Sequence, residues 1–498
     1  MRAAHVIAFD VGAGSGRVSV GSFDGHQMVV KEVHRFYNRP VRIQGNLYWD
    51  ILRVFQELKS SLTRLDKSAT YLSVGIDGWG ADYGLIDLRG RLLGNVYHYR
   101  DRRTDHIDER LLQKIPAREL FDLTASDLHR HYTLCQVYSQ MLSGDPLLQA
   151  ADKLLLIPDL LNYMFTGAAT AEQTIAGTTQ LLSPFGKTWN RPLLSRLKIP
   201  ETLFPHLVPP GTKLGPLAEA YEIETGFAGL NFVSVNGHDT ASAVASLGGL
   251  ASRSAFVSAG TTIVVGAETQ APLLSDACFE HGFKNCPGPE GRNLLMRNNT
   301  GFWILQQCRR LWERQSTTSF PSLSELARKA KRPLMVFDPD SSDFASPENM
   351  LESIGSFARR TNQAPPVTRG EYTRSIYASL ALQIRWCLEK LGEIQDTRIE
   401  RLHLIGGGAR DSLFCEMVAN CTGLPVCAGP AEATTVGNIM AQLLAAAEIS
   451  SLSELKEVVQ RSLSARDYLP KSPQDDSWEN LYSHFNAHKE ATPACTRT

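Results

Sequence analysis

The sequence of 498 residues has no long apolar segment and no excess of charge of either sign. None of its uninterrupted apolar runs approaches the ~18 residues that a membrane-spanning helix needs. Lys and Arg total 51, Asp and Glu total 52, and the formal net charge is -1. A net charge this small gives no electrostatic basis for nucleic acid or an anionic membrane as the main partner.

Cysteine is present but forms no pattern typical of a metal site or a disulfide framework. The nine cysteines are odd in number and scattered, at positions 135, 278, 286, 308, 387, 415, 421, 427 and 495. No C-x-x-C pair occurs, which argues against structural zinc and against a secreted disulfide scaffold. The first residues also lack an apolar core followed by a small-residue cleavage site. We therefore expect a reduced, cytoplasmic compartment.

What is present is enough apolar side chain for more than one core. Hydrophobic residues make up 43% of a chain that is long for a single domain. The first forty residues predict a three-stranded meander, and a similar strand–turn–strand pattern recurs at 254–268. We therefore expect an internal duplication with a hinge near residue 247. The predicted units are an N-terminal domain over 1–247, a C-terminal domain over 248–463 and a peripheral tail over 464–498.

A glycine-rich turn follows the first predicted strand, from Asp10 to Arg17. Three glycines at alternate positions let backbone N–H groups point into one concavity, which suits phosphate oxygens. A dinucleotide fingerprint does not fit, because the following RVSVGSF is a strand where that fingerprint needs a helix. A glycine turn without a ligand is the alternative, but Asp10 at the end of a buried strand requires a cation or a hydrogen-bond donor.

Three further segments carry small or polar residues where predicted strands end. The turn 258–262 offers hydroxyl and N–H groups to a second phosphate, or is an ordinary polar hairpin turn. In the segment 237–240, Asp239 is either a general base at the edge of an open sheet or a helix N-cap. Three glycines at 406–408 let a flat group such as adenine approach the backbone, or serve helix–strand packing.

These segments, in this order, resemble the FGGY family of carbohydrate kinases, in the superfamily of actin, hexokinase and the Hsp70 ATPase. The resemblance lies in AFDVGAGSGRV, LYWD, GIDGWGADY, YRDRRT, GHDTASAV, NNTGFWILQ, IGGGARDSL and GPAEATTVGNI, which run from Ala8 to Ile439. It implies an α/β fold of two ribonuclease-H-like ATPase domains with the active site in the cleft between them.

The resemblance also implies a role for individual residues, each at a position that matches the family's pattern. Asp239 matches the catalytic base. The sugar contacts are Gly80, His238, Asp239, Thr240 and Asn298. The ATP contacts are Ala13, Gly14, Ser15, Gly16, Arg17, Thr261, Gln306 and Gly407. Asp10 matches the Asp that opens the family's first phosphate motif, and we assign it to the water shell of Mg²⁺, which would accompany ATP as the cofactor.

The implied reaction transfers the γ-phosphoryl group of ATP to the primary hydroxyl of a ketose. The likeness is greatest to the members that phosphorylate L-rhamnulose to its 1-phosphate in rhamnose catabolism. Two departures, Thr262 in the second phosphate turn and the stretch 129–136, leave L-fuculose, L-xylulose or a polyol as alternative acceptors. A nucleotide-driven sensor on the same fold is a further alternative. The expected partners are a small sugar and ATP, with no nucleic acid and no membrane.

Overall fold

The computed structural model describes residues 3–313, 316–330, 335–471 and 476–490. The strands, numbered in chain order, are β1 Ala4–Val11, β2 Ser15–Phe23, β3 Met28–Tyr37, β4 Pro40–Ile43, β5 Asn46–Trp49, β6 Tyr71–Gly78, β7 Tyr83–Ile86, β8 Leu92–Leu93, β9 Val96–Tyr97, β10 Lys153–Leu156, β11 Thr170–Glu172, β12 His206–Val208, β13 Lys213–Pro216, β14 Asn231–Val233, β15 Ser254–Ala259, β16 Thr262–Thr269, β17 Lys284–Pro287, β18 Asn293–Thr300, β19 Arg401–Ile405, β20 Val426–Ala428 and β21 Arg466–Tyr468.

The helices are α1 Ile51–Leu62, α2 Ile107–Leu112, α3 Ala117–Thr124, α4 Thr133–Ser143, α5 Pro146–Ala150, α6 Ile157–Thr166, α7 Gln173–Ala176, α8 Arg191–Leu197, α9 Glu219–Thr225, α10 Asp239–Ala245, α11 Asp276–His281, α12 Trp303–Glu313, α13 Phe320–Lys329, α14 Met350–Arg360, α15 Arg369–Gln395, α16 Ser412–Thr422, α17 Ala433–Ala445, α18 Leu452–Ser462 and α19 Asp476–Glu490.

Two large mixed sheets share one strand order, apart from the additional edge strand β17 of the second, in agreement with the duplication expected from the sequence. The first sheet runs β13-β14-β6-β1-β2-β3 and the second runs β17-β18-β16-β15-β19-β20-β21. In each, an antiparallel meander opens the sheet, and two parallel strands follow on the other side of its first strand. An antiparallel strand then closes that edge, β13 in the first sheet and β21 in the second.

The first sheet is covered on both faces, which explains why β1 is apolar along most of its length. Ile7 and Phe9 pack with residues of α1 and α6. Val6 and Ala8 point to the other face and pack against α17 and α18. Alternate side chains of a strand point to opposite faces, so a strand covered on both sides is a continuous apolar run.

Helix boundaries follow local capping chemistry. The helix predicted over Trp49 to about Leu65 begins at Ile51, because the Asp50 carboxylate accepts the Arg53 N–H at its N-terminus. The 27-residue α15 begins with a capping box formed by Thr368 and Glu371. It lies in the core of the second half, where its buried residues pack beneath β15 and β19.

The predicted peripheral tail over 464–498 is wrong for the described residues. β21 pairs with β20 at the edge of the second sheet. α19 packs on the core of the second half, where Phe485 is fully buried. Near its end, Lys489 is 2% exposed and its ammonium lies 3.1 Å from a carboxylate oxygen of Asp338. The division near residue 247 stays a prediction; it falls between α10 and β15.

Two findings concern absences in the described part of the chain. No helix there combines the length and the apolar character needed to cross a membrane. The eight cysteines described there are all free thiols.

Candidate active site

The first half gathers its polar loops at the carboxyl end of its parallel strands. β1 and β6 are in parallel register with Asp10 opposite Asp77. Where β6 ends, the Gly78 N–H donates to the Gly237 carbonyl at 2.8 Å, and α10 begins two residues later. Ligands of open α/β sheets bind at this edge. The loop after β1, the loop after β6 and the start of α10 therefore converge.

Three carboxyl groups, those of Asp10, Asp77 and Asp239, interact at this edge. Burial raises the pKa of Asp10, although the Arg17 guanidinium and the Thr435 hydroxyl, 2.8 Å away, act in the opposite direction. Burial and the charge of Asp10 raise the pKa of Asp77 well above its ordinary value. A cation bound at this edge would favour the ionised form of all three carboxyl groups and offset their mutual repulsion.

Asp239 is not a helix cap. The N-cap position of α10 is His238, whose side chain makes no capping hydrogen bond. The Asp239 carboxylate accepts a hydrogen bond from the Thr240 hydroxyl at 3.2 Å and is 38% exposed. Protein atoms nonetheless surround it, and this desolvation together with the charge of Asp10 raises its pKa to about 6. A carboxylate with this pKa is suited to general-base chemistry near neutral pH.

His238 lies beside Asp239 with an unused hydrogen-bonding atom. Its Nε2 lies 3.5 Å from a carboxylate oxygen of Asp239, and its Nδ1 is buried without a partner in the described part of the protein. Burial and the nearby charge of Lys284 lower the pKa of His238 to about 3. The imidazole is therefore neutral at physiological pH, and Nδ1 remains available to a ligand hydroxyl.

Gly80 lies in the loop after β6, and its lack of a side chain has a packing reason. A Cβ at this position would lie 2.6 Å from the Thr178 Cβ. The next residue, Ala81, donates its N–H to the Thr178 hydroxyl at 3.0 Å. Directly after Ala81, the buried Asp82 carboxylate accepts the indole N–H groups of Trp49 and Trp79, which fixes the loop.

The first glycine turn has an open tip and a closed base. At the tip, a Cβ added to Gly14 would have no atom within 4 Å, and Ala13 is half-buried. At the base, Ser15 opens β2, and a Cβ at Gly16 would lie 2.2 Å from the Phe36 ring. Gly16 is therefore required by packing, while Gly14 leaves space for a ligand to approach the backbone.

Arg17 points from β2 towards carboxylates of both halves. Its Nε lies 3.4 Å from Asp10 Oδ2, and its guanidinium contacts Glu432, which precedes α17. Glu432 also contacts Arg410, which follows the glycines at 406–408. The Glu432 carboxylate thus connects the glycine-rich turn 10–17 with the three-glycine segment 406–408.

The second half contributes its own cluster at the turn between β15 and β16. The Gln306 amide, on α12, donates to the Thr261 hydroxyl at 3.0 Å. Gly406 has φ +82°, and a Cβ at Gly408 would lie 2.6 Å from the Ala259 Cβ, so both need glycine for the backbone or for packing. Gly407 is exposed, and no atom is closer than 4.0 Å to an added Cβ. No contact within the protein therefore requires glycine there.

Asn298 lies on the face of the second sheet that meets α10. It pairs with Val264 across β16 and β18, and its side chain is exposed. Leu294 and Met296, which share its face of β18, pack with Ala241 and Val244 of α10. Side chains two residues apart share a face, so Asn298 lies on the face of β18 that packs against the helix carrying Asp239.

Contacts between the halves surround these clusters. The Arg100 guanidinium lies 4.8 Å from the ring centre of Trp303, the first residue of α12. The buried Lys284 ammonium, on β17, donates to the Tyr132 hydroxyl at 2.8 Å. Tyr132 belongs to the stretch 129–136, where His131 Nδ1 lies 2.8 Å from the Tyr99 carbonyl oxygen. These contacts hold both halves around one site.

Sequence reasoning did not single out several residues that shape this site. Asp77 and Asp82 lie inside GIDGWGADY but received no role. Glu172 carries no local signal, because the Gly237 N–H that it accepts lies 65 positions away in the sequence. The Glu432 carboxylate contacts Arg410, 22 positions earlier, and Arg17, which lies near the other end of the chain.

The described residues contain no cluster of three or more potential metal ligands of the His, Cys, Asp or Glu type. A metal enclosed by protein ligands therefore does not fit them. The carboxyl cluster around Asp10 does fit a cation that arrives with a phosphate ligand and is held largely through water.

Comparisons with known proteins agree over nearly the whole chain. Residues 5–246 match the N-terminal domain, and residues 255–446 the C-terminal domain, of the FGGY family of carbohydrate kinases. A rhamnulokinase from Bacteroides thetaiotaomicron is 36% identical over 482 residues, which cover 97% of this chain and 98% of its own. A rhamnulokinase from Bacillus subtilis is 33% identical over 466 residues, 93% and 95% of the two chains.

Solved structures show the same architecture at low sequence identity. The crystal structure of gluconate kinase from Lactobacillus acidophilus superposes with a TM-score of 0.81 at 15% identity, covering 99% of both chains. Ligand-bound xylulose kinase from the same species gives 0.81 at 15% identity over 98% of both chains. At this identity the likeness shows the fold alone. It confirms the two-domain α/β kinase fold expected from the sequence.

Proposed function

Because this chain belongs to the FGGY family of carbohydrate kinases, we propose that it transfers the γ-phosphoryl group of ATP to the primary hydroxyl of L-rhamnulose, giving L-rhamnulose 1-phosphate. The family is shown by the two domain matches, and ATP-dependent sugar phosphorylation follows from it. The choice of L-rhamnulose is supported by relatives at 30–36% identity that bear the name rhamnulokinase.

The observation that carries the proposal is the state of Asp239. Its carboxylate caps no helix, is reachable from solvent and has a pKa of about 6. We infer that it takes the proton from the attacking hydroxyl. His238, Thr240, Gly80 and Asn298 would bind the sugar's other hydroxyl groups. The first three lie at the start of α10 or in the loop after β6, and Asn298 lies on the face of β18 that packs against α10.

The nucleotide would lie against the two glycine segments. The N–H groups and side chains of 13–17 are proposed to bind phosphate together with Thr261. Gln306 and the exposed Gly407 would face the nucleotide from the second half. Arg17 would then exchange its contact with Glu432 for phosphate oxygens, because a guanidinium binds phosphate as readily as carboxylate.

Mg²⁺ is proposed to accompany ATP, with Asp10 holding it through water. When bound, it would neutralise charge on the phosphate oxygens. The protein does little covalent chemistry in phosphoryl transfer, so its contribution is positioning and charge stabilisation. Bringing the two halves together would exclude water, which otherwise competes with the sugar as acceptor.

Replacing Asp239 by Asn tests the proposal. The amide keeps the shape and can hydrogen-bond the sugar, but it cannot accept the proton. General-base catalysis contributes about 10²–10⁴-fold, so we expect kcat to fall by that factor while ATP affinity is retained. Single-turnover phosphoryl transfer to L-rhamnulose is the measurement. A folded variant that keeps more than about a tenth of wild-type turnover would remove Asp239 from the role of base.

A further inference from the structure

The two loops proposed to hold the sugar lie on different elements, yet both donate backbone N–H groups to one short segment. We call residues 172–178 the bridging segment; it covers the end of β11, α7 and the turn that follows. At one end, the Gly237 N–H donates to Glu172 Oε2 at 2.8 Å. The His238 N–H donates to the Thr174 hydroxyl at 3.2 Å. These are the two residues before Asp239.

The other end of the bridging segment contacts the loop after β6. The Thr178 hydroxyl accepts the Ala81 N–H at 3.0 Å and donates to the Ile175 carbonyl at 2.7 Å. The Thr178 side chain also fills the space beside Gly80 that a Cβ would otherwise occupy. The position of Gly80 is therefore set by the same seven residues that contact Gly237 and His238.

A buried hydrogen-bond network centred on Glu172 fixes the bridging segment itself. Glu172 is 1% exposed, and its carboxylate also accepts the Thr174 N–H at 2.8 Å, the Ile175 N–H at 3.0 Å and the Thr174 hydroxyl at 2.6 Å. Its own N–H donates to the buried Asp159 at 3.2 Å. The Glu172 carboxylate thus accepts four hydrogen bonds from three residues, and its displacement would leave several buried polar groups unpaired.

We propose that the bridging segment positions the base relative to the sugar, with Glu172 and Thr174 as positioning residues for Asp239 and Thr178 as the positioning residue for Gly80. The proposal rests on the function proposed above. Rotation of the Gly237–His238 peptide would move His238 and Asp239 together, since α10 starts at Asp239. A misplacement of about 1 Å in a reacting group can cost roughly 10²-fold in rate.

The substitution Thr174→Val tests the end next to Asp239. Valine has nearly the same shape, but it removes the acceptor of the His238 N–H. We expect kcat to fall by about tenfold or more and the KM for L-rhamnulose to rise, while the KM for ATP is unchanged. Thr174→Ser restores the hydroxyl and should return both parameters towards wild type. Thr178→Val removes the acceptor of the Ala81 N–H, and should mainly raise the KM for the sugar.

Thr225→Val is the matched control. Thr225 is 1% exposed on α9, its hydroxyl donates to the Tyr221 carbonyl at 2.8 Å, and it accepts the Phe227 N–H at 3.4 Å. The chemical change is the same, but Thr225 contacts none of the site loops. A lower Tm with unchanged kcat and KM is expected. If Thr174→Val or Thr178→Val also lowers Tm but leaves kcat and KM unchanged, the proposal is overturned.

The double variant with Asp239→Asn separates this inference from the proposed function. If Thr174 acts through Asp239, its substitution should lower kcat much less once the base is absent, because residues that act as a unit are not additive. Equal losses in both backgrounds would contradict the positioning role while leaving the base intact. If the single variant Asp239→Asn retains turnover, that result would instead contradict the proposed function.

Discussion

Asp239 and His238 are adjacent in the sequence, and the same burial has opposite consequences for them. Desolvation disfavours the charged form of each group. It raises the pKa of the Asp239 carboxyl to about 6 and lowers that of the His238 imidazole to about 3. Between these values the pair contains a neutral imidazole, and above pH 6 it also contains an ionised carboxylate. This is the combination that a proton-accepting site for a neutral sugar requires.

The pH dependence of the reaction follows from the raised pKa of Asp239. The base acts only when ionised, so kcat/KM for the sugar should be constant above pH 6 and fall about tenfold per unit below it. An unperturbed aspartate would place this limb near pH 4. Steady-state rates between pH 4.5 and 8 at saturating ATP give the profile. A profile that stays flat down to pH 4.5 would contradict the account, as would an unchanged acid limb in Asp239→Asn.

The sequence led to the residues whose chemistry is local and missed those defined by distant contacts. Asp10, Asp239 and the glycines each follow a recognisable strand, and their roles came from the resemblance to a family. Glu172 and Glu432 lie in stretches without a strong local pattern. Their significance depends on Gly237, Arg17 and Arg410, which only the fold brings within reach.

In the three-glycine segment after β19, two glycines are required by the protein's own backbone or packing, and the one between them is open to a ligand. Gly406 and Gly408 have structural reasons to be glycine, while Gly407 has none within the described protein. β19 also occupies the position in the second sheet that β6 occupies in the first. The proposed sugar loop and the proposed nucleotide loop therefore follow corresponding strands.

Replacing Gly407 by Val should act on the nucleotide alone. An added Cβ would have no described protein atom closer than 4.0 Å, so Tm should change little, but the side chain would occupy the space proposed for the nucleotide. We expect ATP to bind at least about tenfold more weakly, a loss of ~1.4 kcal/mol or more, with sugar affinity unchanged. Calorimetric titration with each ligand measures both. Unchanged ATP affinity would remove Gly407 from the nucleotide site.

Gly408→Ala is the companion variant for that measurement. Its Cβ would lie 2.6 Å from the Ala259 Cβ, so the backbone must shift. A lower Tm is expected from overpacking before any effect on a ligand. The contrast between neighbouring glycines distinguishes a steric effect on ATP from a general loss of structure.

The elements that the sequence predicted well are those with local signals. The meander β1–β3 consists of β-branched and aromatic runs. It has a tight turn at Asp24-Gly25, where the Asp24 carboxylate accepts the N–H groups of His26 and Gln27 at 2.8 and 2.7 Å. β21 has only three residues, and its partner strand β20 lies about forty positions earlier. Charged residues such as Lys489 make the sequence of α19 typical of an exposed helix. In the fold, however, Lys489 is buried and pairs with Asp338.

At the scale of the whole molecule, one helix from the second half covers the sheet of the first. α17 follows Glu432, and its Asn438 amide donates to Asp77 Oδ2 at 2.6 Å. Glu432 contacts Arg17 of the first sheet and Arg410 of the second half. The proposed nucleotide site of one half is thus connected through α17 to the carboxylate cluster of the other. This arrangement suits a reaction that must bring two substrates together across a cleft.

Both halves together are proposed to phosphorylate a ketose, with L-rhamnulose as the preferred acceptor. The decisive measurement is ADP release over a panel of L-rhamnulose, L-fuculose, L-xylulose and glycerol. We expect little ADP without sugar and the highest kcat/KM with L-rhamnulose. Epimers should be about 5- to 150-fold poorer, because each leaves a buried polar group unpaired at a cost of ~1–3 kcal/mol. Rapid ADP release without any sugar, or glycerol as the best acceptor, would contradict the proposed function.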